Sequence, residues 1–532
     1  MYIKKFFAFL TLLLLAACGA PQEDWFGGYR ELETGSPAQI QYSSQETQVG
    51  RPSDNFLGAP VHRMTVLLPL SGDNAATGQT IRTSIETAVL QNAPRNLSVS
   101  FYDTESYNAI NDALSENPEI IIGPVFSDDA RALRNLKPDN LPVLSFTSDA
   151  SSIGKGVMTM ALMPTNSIET IVKEMFYDGI KSFIIVAPNT PSGKLMAGTA
   201  VSASEIYNVP VSGIFYYNEN DSESIKNITK EASMNDSRVA ANTKAREVLS
   251  DILTNELLTI IEKSSMTIQL ENLSKSDTLG NLPYDAVLFL GTSDDTKNIA
   301  SFLRYYGVDA KDVRFYGTAV WEGSDIANDF TMYGAKYATL PEISYEFTNL
   351  YEQMSGKAPN RLATFGYDAA NMAIGMIYSD KSNAAYLLDP SGYIGLDGLF
   401  RLKPTGESER ALQVVQLTGS GSTRIVRNAP QNFLAPIYNI EQHNIRPTGA
   451  KKLDPIEINL GDYVMIPERF QSKYKMRATN INSEYDESMF FNQENLIVLP
   501  EDTGQAIVSP DFISVPLERV NRTYIDSLEI EE

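Results

Sequence analysis

The stretch TVLLPLSGDNAATGQTI, from Thr65 to Ile81, passes from an apolar run through a polar loop into a helical pattern. Val66–Leu68 is typical of a buried strand, because three apolar residues follow one another without alternation. The apolar residues after the loop share one face of a predicted helix: Ile81, Ile85, Ala88 and Val89. A strand, a loop and a helix in this order form the place where α/β proteins bind ligands.

The glycines of this loop do not make a phosphate-binding loop. Gly72 and Gly78 enclose five residues where that motif has four, and Gln79 stands where the motif has lysine. What remains is a helix N-terminus with Ser71 beside it, which suits a carboxylate or another polar group. A plain connecting loop is equally compatible with the pattern.

The composition argues against several classes of function. The 532 residues carry 43 Lys+Arg against 66 Asp+Glu, a formal net charge of −23. This balance argues against a nucleic-acid partner and against unaided binding to an anionic lipid surface. Cys18 is the single cysteine, and His62 and His443 are the two histidines, so we expect neither a Cys/His metal site nor an intrachain disulfide.

The N-terminus has the pattern of an export signal. Two lysines precede the apolar run Phe6–Leu15, and Leu-Ala-Ala-Cys follows, ending at Cys18. The pattern resembles a bacterial lipoprotein signal, which implies removal of residues 1–17 and acylation of Cys18. A plain secretory signal with an incidental cysteine is the alternative. Gly19 in place of aspartate favours sorting to the outer membrane, so we expect a cell-envelope protein anchored by lipid at the periplasmic face of that membrane.

Residues 18–61 are polar and lack a sustained period, which predicts a tether between the lipid anchor and a folded body. From residue 62, short apolar runs alternate with amphipathic patterns such as Asn166–Gly179 and Thr296–Gly307. This alternation predicts an α/β fold of parallel sheets with helices on both faces. The candidate strands are Thr65–Leu68, Ser98–Tyr102, Glu119–Ile122, Val143–Phe146, Ser182–Ala187, Val211–Tyr216, Ala286–Leu290 and Val313–Tyr316.

Two segments depart from the alternation. Asn218–Gly280 is charged and rich in Ser and Asn, and its single long helix candidate, about Thr243–Ile261, is interpreted as an elaborated surface helix. Residues 428–532 form an irregular acidic extension. Within 480–532, twelve acidic residues stand against two arginines, a charge of −10. A disordered acidic tail fits this composition, and so does a segment that folds on the body or on a partner through aromatic residues such as Phe490.

Several motifs occur in the order seen in one known family. They are VLLPLSGDNAATGQTI, EIIIGPVFSDDARALR, LPVLSFTSDAS, YDAVLFLGTSDDTKNIASFLRYYGVDAKDVRFYGTAVW, LATFGYDAANMAI and GYIGLDGLFRL. Over about residues 62–427, the chain resembles the type I periplasmic-binding proteins, the family of leucine/isoleucine/valine-binding proteins. The run from Asp285 to Trp321 is most similar to one branch of that family, the lipoprotein activators of penicillin-binding proteins.

The resemblance implies that the body, residues 62–427, has two lobes with a cleft between them. Three crossing strands would join the lobes, near Met163–Asn166, Tyr316–Trp321 and Ser379–Leu388. Each lobe would then combine two separate parts of the chain: lobe 1 about 62–165 and 318–380, and lobe 2 about 166–317 and 381–427.

The resemblance also implies which residues line the cleft. In the transport branch, hydroxyls and backbone groups of the first lobe hold the charged ends of an amino acid. The matching positions in this sequence are Ser127, Ser145, Thr147 and Ser148, with Ser71 at the rim.

Two positions depart from the transport pattern, so we expect a free amino acid to bind poorly. The second lobe should supply an aromatic residue near APNTPSGKL, where this chain has Thr190, Pro191 and Ser192. The acid that should meet the ligand's ammonium has Glu322 as its nearby candidate. Trp321 either faces the cleft or packs between the lobes.

No residue pattern supports an enzyme, a metal or a cofactor. The two histidines border the tether and lie in the extension, and the pair Asp128-Asp129 is interpreted as partners of a helix dipole. Gly419–Thr423 predicts a hairpin turn between Leu412–Leu417 and Arg424–Val426. The resemblance implies a regulator that docks on a penicillin-binding protein, a peptidoglycan synthase, and activates it.

The alternative function is the substrate-binding lipoprotein of an ABC importer, whose ligand would be an amino acid or a peptide such as a muropeptide. The two functions predict different surfaces between the lobes. A cleft floored by free polar groups would favour the receptor, whereas an interface filled by side chains would favour the docking protein.

Overall fold

The computed structural model describes residues 61–419, 421–435 and 444–471, with the short strands Leu32–Glu33, Ala38–Gln39 and Arg477–Thr479. The predicted signal peptide 1–17, Cys18, most of the predicted tether 18–61 and residues 480–532 of the acidic extension lie outside the described residues. Among the described helices, none is both long enough and apolar enough to span a bilayer.

The first lobe is built on a five-stranded parallel sheet. Its elements are β1 His62–Leu68, α1 Ala75–Asn92, β2 Leu97–Asp103, α2 Ala109–Ser115, β3 Ile120–Ile122, α3 Ser127–Leu136, β4 Val143–Ser145 and β5 Val157–Thr159. The strand order is β2-β1-β3-β4-β5. Val66 and Leu67 point to opposite faces of β1 and belong to different apolar clusters, since helices cover both faces of the sheet.

The second lobe continues the alternation of helix and strand. Its elements are α4 Pro164–Tyr177, β6 Phe183–Pro188, α5 Pro191–Tyr207, β7 Val211–Tyr217, α6 Ser222–Ala232, α7 Asn235–Leu253, α8 Ile260–Leu273, β8 Ala286–Phe289, α9 Ser293–Tyr305, β9 Arg314–Gly317 and β10 Lys336–Thr339. The five strands from β6 to β10 are parallel.

The chain then returns to the first lobe and crosses back once more. The elements are α10 Tyr345–Ser355, α11 Arg361–Ile377, α12 Asn383–Leu387, β11 Tyr393–Gly395, β12 Gly398–Leu402, β13 Ser408–Arg410, β14 Gln413–Gly419 and β15 Ser422–Arg427. Helix α11 packs on α1 of the first lobe. The hairpin β14–β15 completes the second sheet, in the order β15-β14-β10-β9-β8-β6-β7. Strands β11–β13 form a small separate sheet with Ala38–Gln39.

The predicted α/β class, with parallel sheets flanked by helices, is confirmed. All eight candidate strands are present; most are apolar runs buried on both faces of their sheet, whereas Ser98–Tyr102 lies in the partly exposed edge strand β2. Strands β5 and β10 are absent from the strands predicted from the sequence. Both are short, and their residues VMT and KYAT do not form a long apolar run.

The lobe boundaries differ from the expected ones at the second and at the third passage. Residues 336–339, assigned above to lobe 1, form β10 between β9 and β14 of the second sheet. The second and third passages between the lobes therefore lie near Leu340 and just before Gln413, not at Tyr316–Trp321 and Ser379–Leu388. Short 3₁₀ turns between 319 and 332 separate β10 from β9. Because these turns have no strand pattern, the sequence does not indicate that the second sheet continues after them.

The elaboration at 218–280 contains two long helices where one was expected at about Thr243–Ile261. Helix α7 ends at Leu253 and α8 begins at Ile260. Thr259 caps the N-terminus of α8. Its hydroxyl accepts a hydrogen bond from the backbone N–H of Glu262 at 3.2 Å, and the Glu262 carboxylate accepts one from the Thr259 N–H at 2.9 Å. This capping box separates the two helices.

The first part of the acidic extension folds on the second lobe. Residues 444–451 run beside the edge strand β7, and Ile214 and Lys451 exchange two backbone hydrogen bonds of 2.8 and 3.0 Å. The segment covers an edge that would otherwise expose unpaired backbone groups. Further along, Glu457–Asn459 forms strand β16, and Glu468–Gln471 forms helix α13.

Helices α7 and α8 share a core with this C-terminal segment. The apolar cluster joins Leu249 and Met266 of the helices to Ile458, Leu460 and Phe470. The two helices and residues 456–471 together are called the helical module below.

A buried arginine holds the helical module to the rest of the second lobe. Arg238 donates from Nε to the Gly280 carbonyl at 3.1 Å, and its Nη atoms reach the carbonyls of Ser233, Tyr306 and Gly307 at 3.2–3.3 Å. Burial lowers the pKa of this guanidinium. The carbonyls at Ser233 and Tyr306 end α6 and α9, where a helix dipole favours a cation.

We expect Gly198→Ala to displace residues 444–451 from the second lobe. A Cβ at Gly198 would lie 2.1 Å from the Arg446 carbonyl oxygen, a distance that requires the backbone to move. Amide hydrogen exchange of the full chain should rise at least tenfold in this segment. Gly449→Ala is the control, because a Cβ there meets no described atom within 4 Å. Equal exchange in both variants would contradict the expectation.

Candidate interlobe site

The loop that follows β1 is held by a carboxylate at the end of the neighbouring strand. Asp103 accepts from the backbone N–H groups of Leu70, Ser71 and Glu105 at 2.8, 3.3 and 3.2 Å. Burial raises the pKa of Asp103, but the Ser71 hydroxyl and these amides outweigh it and hold the pKa below its ordinary value. Ser71 therefore has a partner within its own lobe, although it is exposed at the rim.

Two of the four predicted hydroxyl residues are used inside the first lobe. The Ser145 hydroxyl donates to the Pro124 carbonyl at 2.9 Å, and the Thr147 hydroxyl accepts from the Asp149 N–H at 3.1 Å. Both side chains are buried. Their hydrogen bonds shape the loop after β4, so a ligand would have to compete with them.

The other two hydroxyl residues, Ser127 and Ser148, lie at the carboxyl-terminal edge of the first sheet. Ser127 is half-buried in the first turn of α3, and Ser148 is exposed after β4. With Ser71 they follow the carboxyl ends of β1, β3 and β4, which are neighbours in the sheet. The structure thus brings Ser71, Ser127 and Ser148 to one edge.

This edge is acidic. Burial raises the pKa of Asp129, and the charges of Glu105 and Asp128 raise it further. Among the described residues, no group of three or more His, Cys, Asp or Glu side chains is arranged to hold a metal ion. An anionic ligand would meet repulsion here rather than a complementary charge.

Trp321 lies in the core of the second lobe and not in the cleft. Its side chain is 1% exposed and packs against Phe289 and Tyr337, with ring centroids 6.2 and 5.9 Å apart. A Cβ at Gly317 would lie 2.3 Å from the indole, so the ring occupies the space that this glycine leaves. The reading of Trp321 as a cleft residue is wrong, because the 3₁₀ turn Ala319–Trp321 directs the side chain into its own lobe.

Glu322 meets an arginine of the same chain. Its carboxylate accepts from Arg361 Nε at 3.2 and 3.3 Å and from Arg361 Nη2. Glu322 follows the Trp321 turn of the second lobe, and Arg361 opens α11 of the first lobe. The acid that was expected to meet a ligand's ammonium is therefore paired with a guanidinium across the lobe boundary.

Arg361 is itself fixed by a buried carboxylate of the first lobe. Its Nη1 donates to Asp397 at 2.5 Å, and Nη2 also donates to the Leu340 carbonyl at 3.2 Å. Asp397 has a fully buried side chain and also accepts from the Thr364 hydroxyl. Burial raises the pKa of Asp397, and the adjacent guanidinium opposes that rise.

A second buried arginine lies close to this pair. Arg410 stacks between Phe365 and Phe400, with its guanidinium carbon 4.3 and 4.8 Å from the ring centroids. Its Nη2 donates to the Met160 carbonyl at 2.5 Å, and its backbone N–H donates to the Asn166 amide oxygen at 3.3 Å. Arg410 thus contacts the first passage between the lobes. Its Nε and Nη1 have no hydrogen-bond partner among the described residues.

Arg361, Asp397 and Arg410 were not among the residues predicted from the sequence. One signal was present: a cation in the first helical turn opposes the helix dipole, so Arg361 at the start of α11 indicates a nearby carboxylate. Asp397 and Arg410 had no such signal, since each sits in a short strand or turn that has no periodicity of its own.

A carboxylate in the second turn of α4 is sensitive to pH. Burial raises the pKa of Glu169 to about 7; the Glu409 charge also raises it, while Lys403, the Tyr207 hydroxyl and Lys173 lower it. Tyr207 donates to Glu169 at 3.1 Å. Glu409 lies on β13 and pairs with Arg401 at 2.8 Å, so the two acids approach from the two sides of the lobe boundary.

We expect the free energy of unfolding to fall as the pH rises from about 4.5 to about 7, because the folded state binds the Glu169 proton more tightly than the unfolded chain does. Glu169→Gln should remove about 2 kcal/mol of this decline, a value reduced for partial solvent exposure. Denaturant unfolding of the full chain across this range measures the slope. Glu205→Gln, an exposed acid on α5, is the control; identical slopes in both variants would contradict the assignment.

The two lobes of parallel sheet, the three passages between them and the charged pair at their boundary define a protein of the type I periplasmic-binding fold. A family model described as "LppC putative lipoprotein" matches residues 54–413, more than half of the chain. The chain therefore belongs to the LppC lipoprotein family.

A relative from Mannheimia succiniciproducens is named penicillin-binding protein activator LpoA. It is 24% identical over 203 residues, which are 37% of this chain and 35% of the relative. The match thus spans about a third of the relative's length.

One solved structure resembles the chain at the level of the fold, and a second aligns with it at a lower score. A putative branched-chain amino acid ABC transporter from Rhodospirillum rubrum aligns with 69% of this chain and 100% of its own, at 16% identity and a TM-score of 0.52. The LpoA C-domain from Haemophilus influenzae, described as a regulator of PBP1A, aligns with 68% of this chain and 99% of its own, at 17% identity and a TM-score of 0.48.

Proposed function

We propose that this protein is a regulator that docks on a penicillin-binding protein, a peptidoglycan synthase, and activates it without catalysing a reaction itself. It would act from a lipid anchor at Cys18, on the periplasmic face of the outer membrane. The family membership supports an envelope lipoprotein, and the named function of the Mannheimia succiniciproducens relative supports the partner.

The observation that carries the proposal is the pairing of Glu322 with Arg361. A receptor for amino acids needs a free carboxylate for the ligand's ammonium, because an unpaired charge inside a closed cleft is costly. Here that carboxylate already has a cation from the opposite lobe. The buried hydroxyls of Ser145 and Thr147 are also engaged in their own lobe. This arrangement favours a docking protein over the importer's receptor.

Activation by contact requires that the regulator bind the active arrangement of the synthase more tightly than the inactive one. Coupling free energies of this kind are typically about 1–3 kcal/mol. The proposal therefore needs only a modest difference in affinity between the two states, and no chemistry in the regulator.

The helical module offers a surface for such a contact. Leu257, Ile260, Ile261, Ile268 and Met465 are exposed large apolar side chains on or beside α8. Gln269 exchanges hydrogen bonds of 2.8 and 3.1 Å with the Met465 backbone, so residue 465 lies against α8. Clustered apolar side chains on a surface are typical of protein interfaces.

The first test compares two activities of the full lipid-anchored chain in detergent. We expect it to bind a purified penicillin-binding synthase and to accelerate glycan polymerisation or cross-linking several-fold. We expect no rise in melting temperature with amino acids or muropeptides, although a ligand at a hundred times its Kd would stabilise the fold by about 2.7 kcal/mol. A clear ligand-dependent rise without any effect on a synthase would establish the receptor instead.

The second test concerns the surface. Ile261→Ser and Ile268→Ser together should weaken binding to the synthase at least tenfold and leave the melting temperature unchanged, since both side chains already contact solvent. Leu90→Ser, at an exposed leucine of the first lobe, is the matched control. If the wild type binds and both sets of variants bind equally well, the contact lies elsewhere; if the wild type binds no synthase, the proposed function itself fails.

A further inference from the structure

Three passages of backbone join the two lobes, and one network of charged and polar side chains reaches all three. Arg410 binds the carbonyl of Met160 in the first passage. Arg361 binds the carbonyl of Leu340 in the second, and Gln413 at the start of the third donates to the same oxygen at 3.2 Å. The relative position of the lobes is therefore coupled to these side chains.

Within this network, the pair of Glu322 and Arg361 is the ion pair that joins the two lobes, whereas the bond from Arg410 to Asn166 lies beside the first passage. Asp397 and Thr364 belong to the first lobe, as Arg361 does, so their bonds to one another would persist. Glu322 is part of the second lobe, because it directly follows the turn Ala319–Trp321 and Trp321 packs in the core of that lobe. Moving the lobes apart would take its carboxylate away from the guanidinium.

The two carboxylates that Arg361 binds differ in the free energy that breaking the ion pair would cost. The Asp397 side chain is 0% exposed, so removal of its cation would leave an uncompensated charge in the interior. The Glu322 side chain is 32% exposed and would be hydrated on release. The guanidinium therefore stays beside Asp397, whereas its ion pair with Glu322 can break.

We propose that the Glu322–Arg361 pair is a latch that holds the lobes in one arrangement, with Arg361 fixed on Asp397 as its base. The latch opens by breaking this pair, while the three passages and the apolar core around them stay intact. Residues from both lobes, among them Leu68, Ile168 and Met372, belong to that one core. This inference does not depend on the identity of the partner or on the proposed function.

The latch differs from an ordinary stabilising ion pair in its consequence. A pair that only adds stability changes the unfolding temperature and leaves the lobe positions alone. A latch changes the distance between the lobes, with little change in the unfolding temperature. The experiment must therefore measure both quantities on the same variants.

Spin labels on Ser148→Cys in the first lobe and Asn298→Cys in the second report the distance, since both side chains are exposed. The full chain is purified from membranes, where the predicted acylation of Cys18 blocks the one native thiol. A chain without the engineered cysteines is the control, and it should take up no spin label if Cys18 is blocked. Pulsed electron spin resonance should show one narrow distance distribution for the labelled chain with Glu322 intact.

Glu322→Gln should add a resolved population of molecules with a longer distance between the two labels. This population should be at least ten times larger than in the parent chain. Glu322→Lys should enlarge it further, because it places a like charge against Arg361. Glu205→Gln, an exposed acid on α5 of the second lobe, should leave the distribution unchanged. Asp397→Asn should instead lower the unfolding temperature, because it removes the buried partner.

Two results would overturn the latch. One is a distance distribution for Glu322→Gln and Glu322→Lys that superimposes on that of the parent chain. The other is an equal opening by Glu205→Gln, which would attribute the change to the net charge of the lobe rather than to this pair.

Discussion

A fully buried carboxylate requires a cation, and the hinge of this protein is organised around that requirement. Asp397 has no contact with solvent, so Arg361 must stay beside it whatever the lobes do. The remaining N–H groups of the guanidinium then reach Leu340 in one passage and Glu322 in the other lobe. One electrostatic constraint in the first lobe thereby sets where the second lobe can attach.

The same constraint bears on the function. The fold is one in which related proteins are described as transporter components, and the groups that would hold a small ligand are present by residue type. In this chain three of them are committed to internal partners: Glu322 to Arg361, Ser145 to Pro124 and Thr147 to Asp149. A site whose polar groups are already satisfied gains little from an added ligand, because each new bond replaces an existing one.

Two parts of the second lobe's surface have different roles. Residues 444–451 cover the edge of the sheet at β7, which prevents that edge from pairing with another chain. Beyond this cover, α7, α8 and residues 456–471 share a separate core and leave isoleucines of α8 exposed. Arg238 joins this module to the carbonyl ends of α6 and α9, so the module is a fixed part of the lobe. A rigid apolar surface is a suitable contact for a large partner.

By itself, the sequence determined the fold class and the presence of the eight candidate strands, since most of them are apolar runs and burial on both faces of a parallel sheet leaves such a local pattern. It did not determine β10, the second and third passages, or the break between α7 and α8, because these depend on short segments that have no periodicity. The partner of Glu322 is 39 residues away, and Arg410 meets a carbonyl 250 residues away. Only the tertiary structure decided these contacts, because the cost of burying a charge is fixed by which distant residues the fold brings beside it.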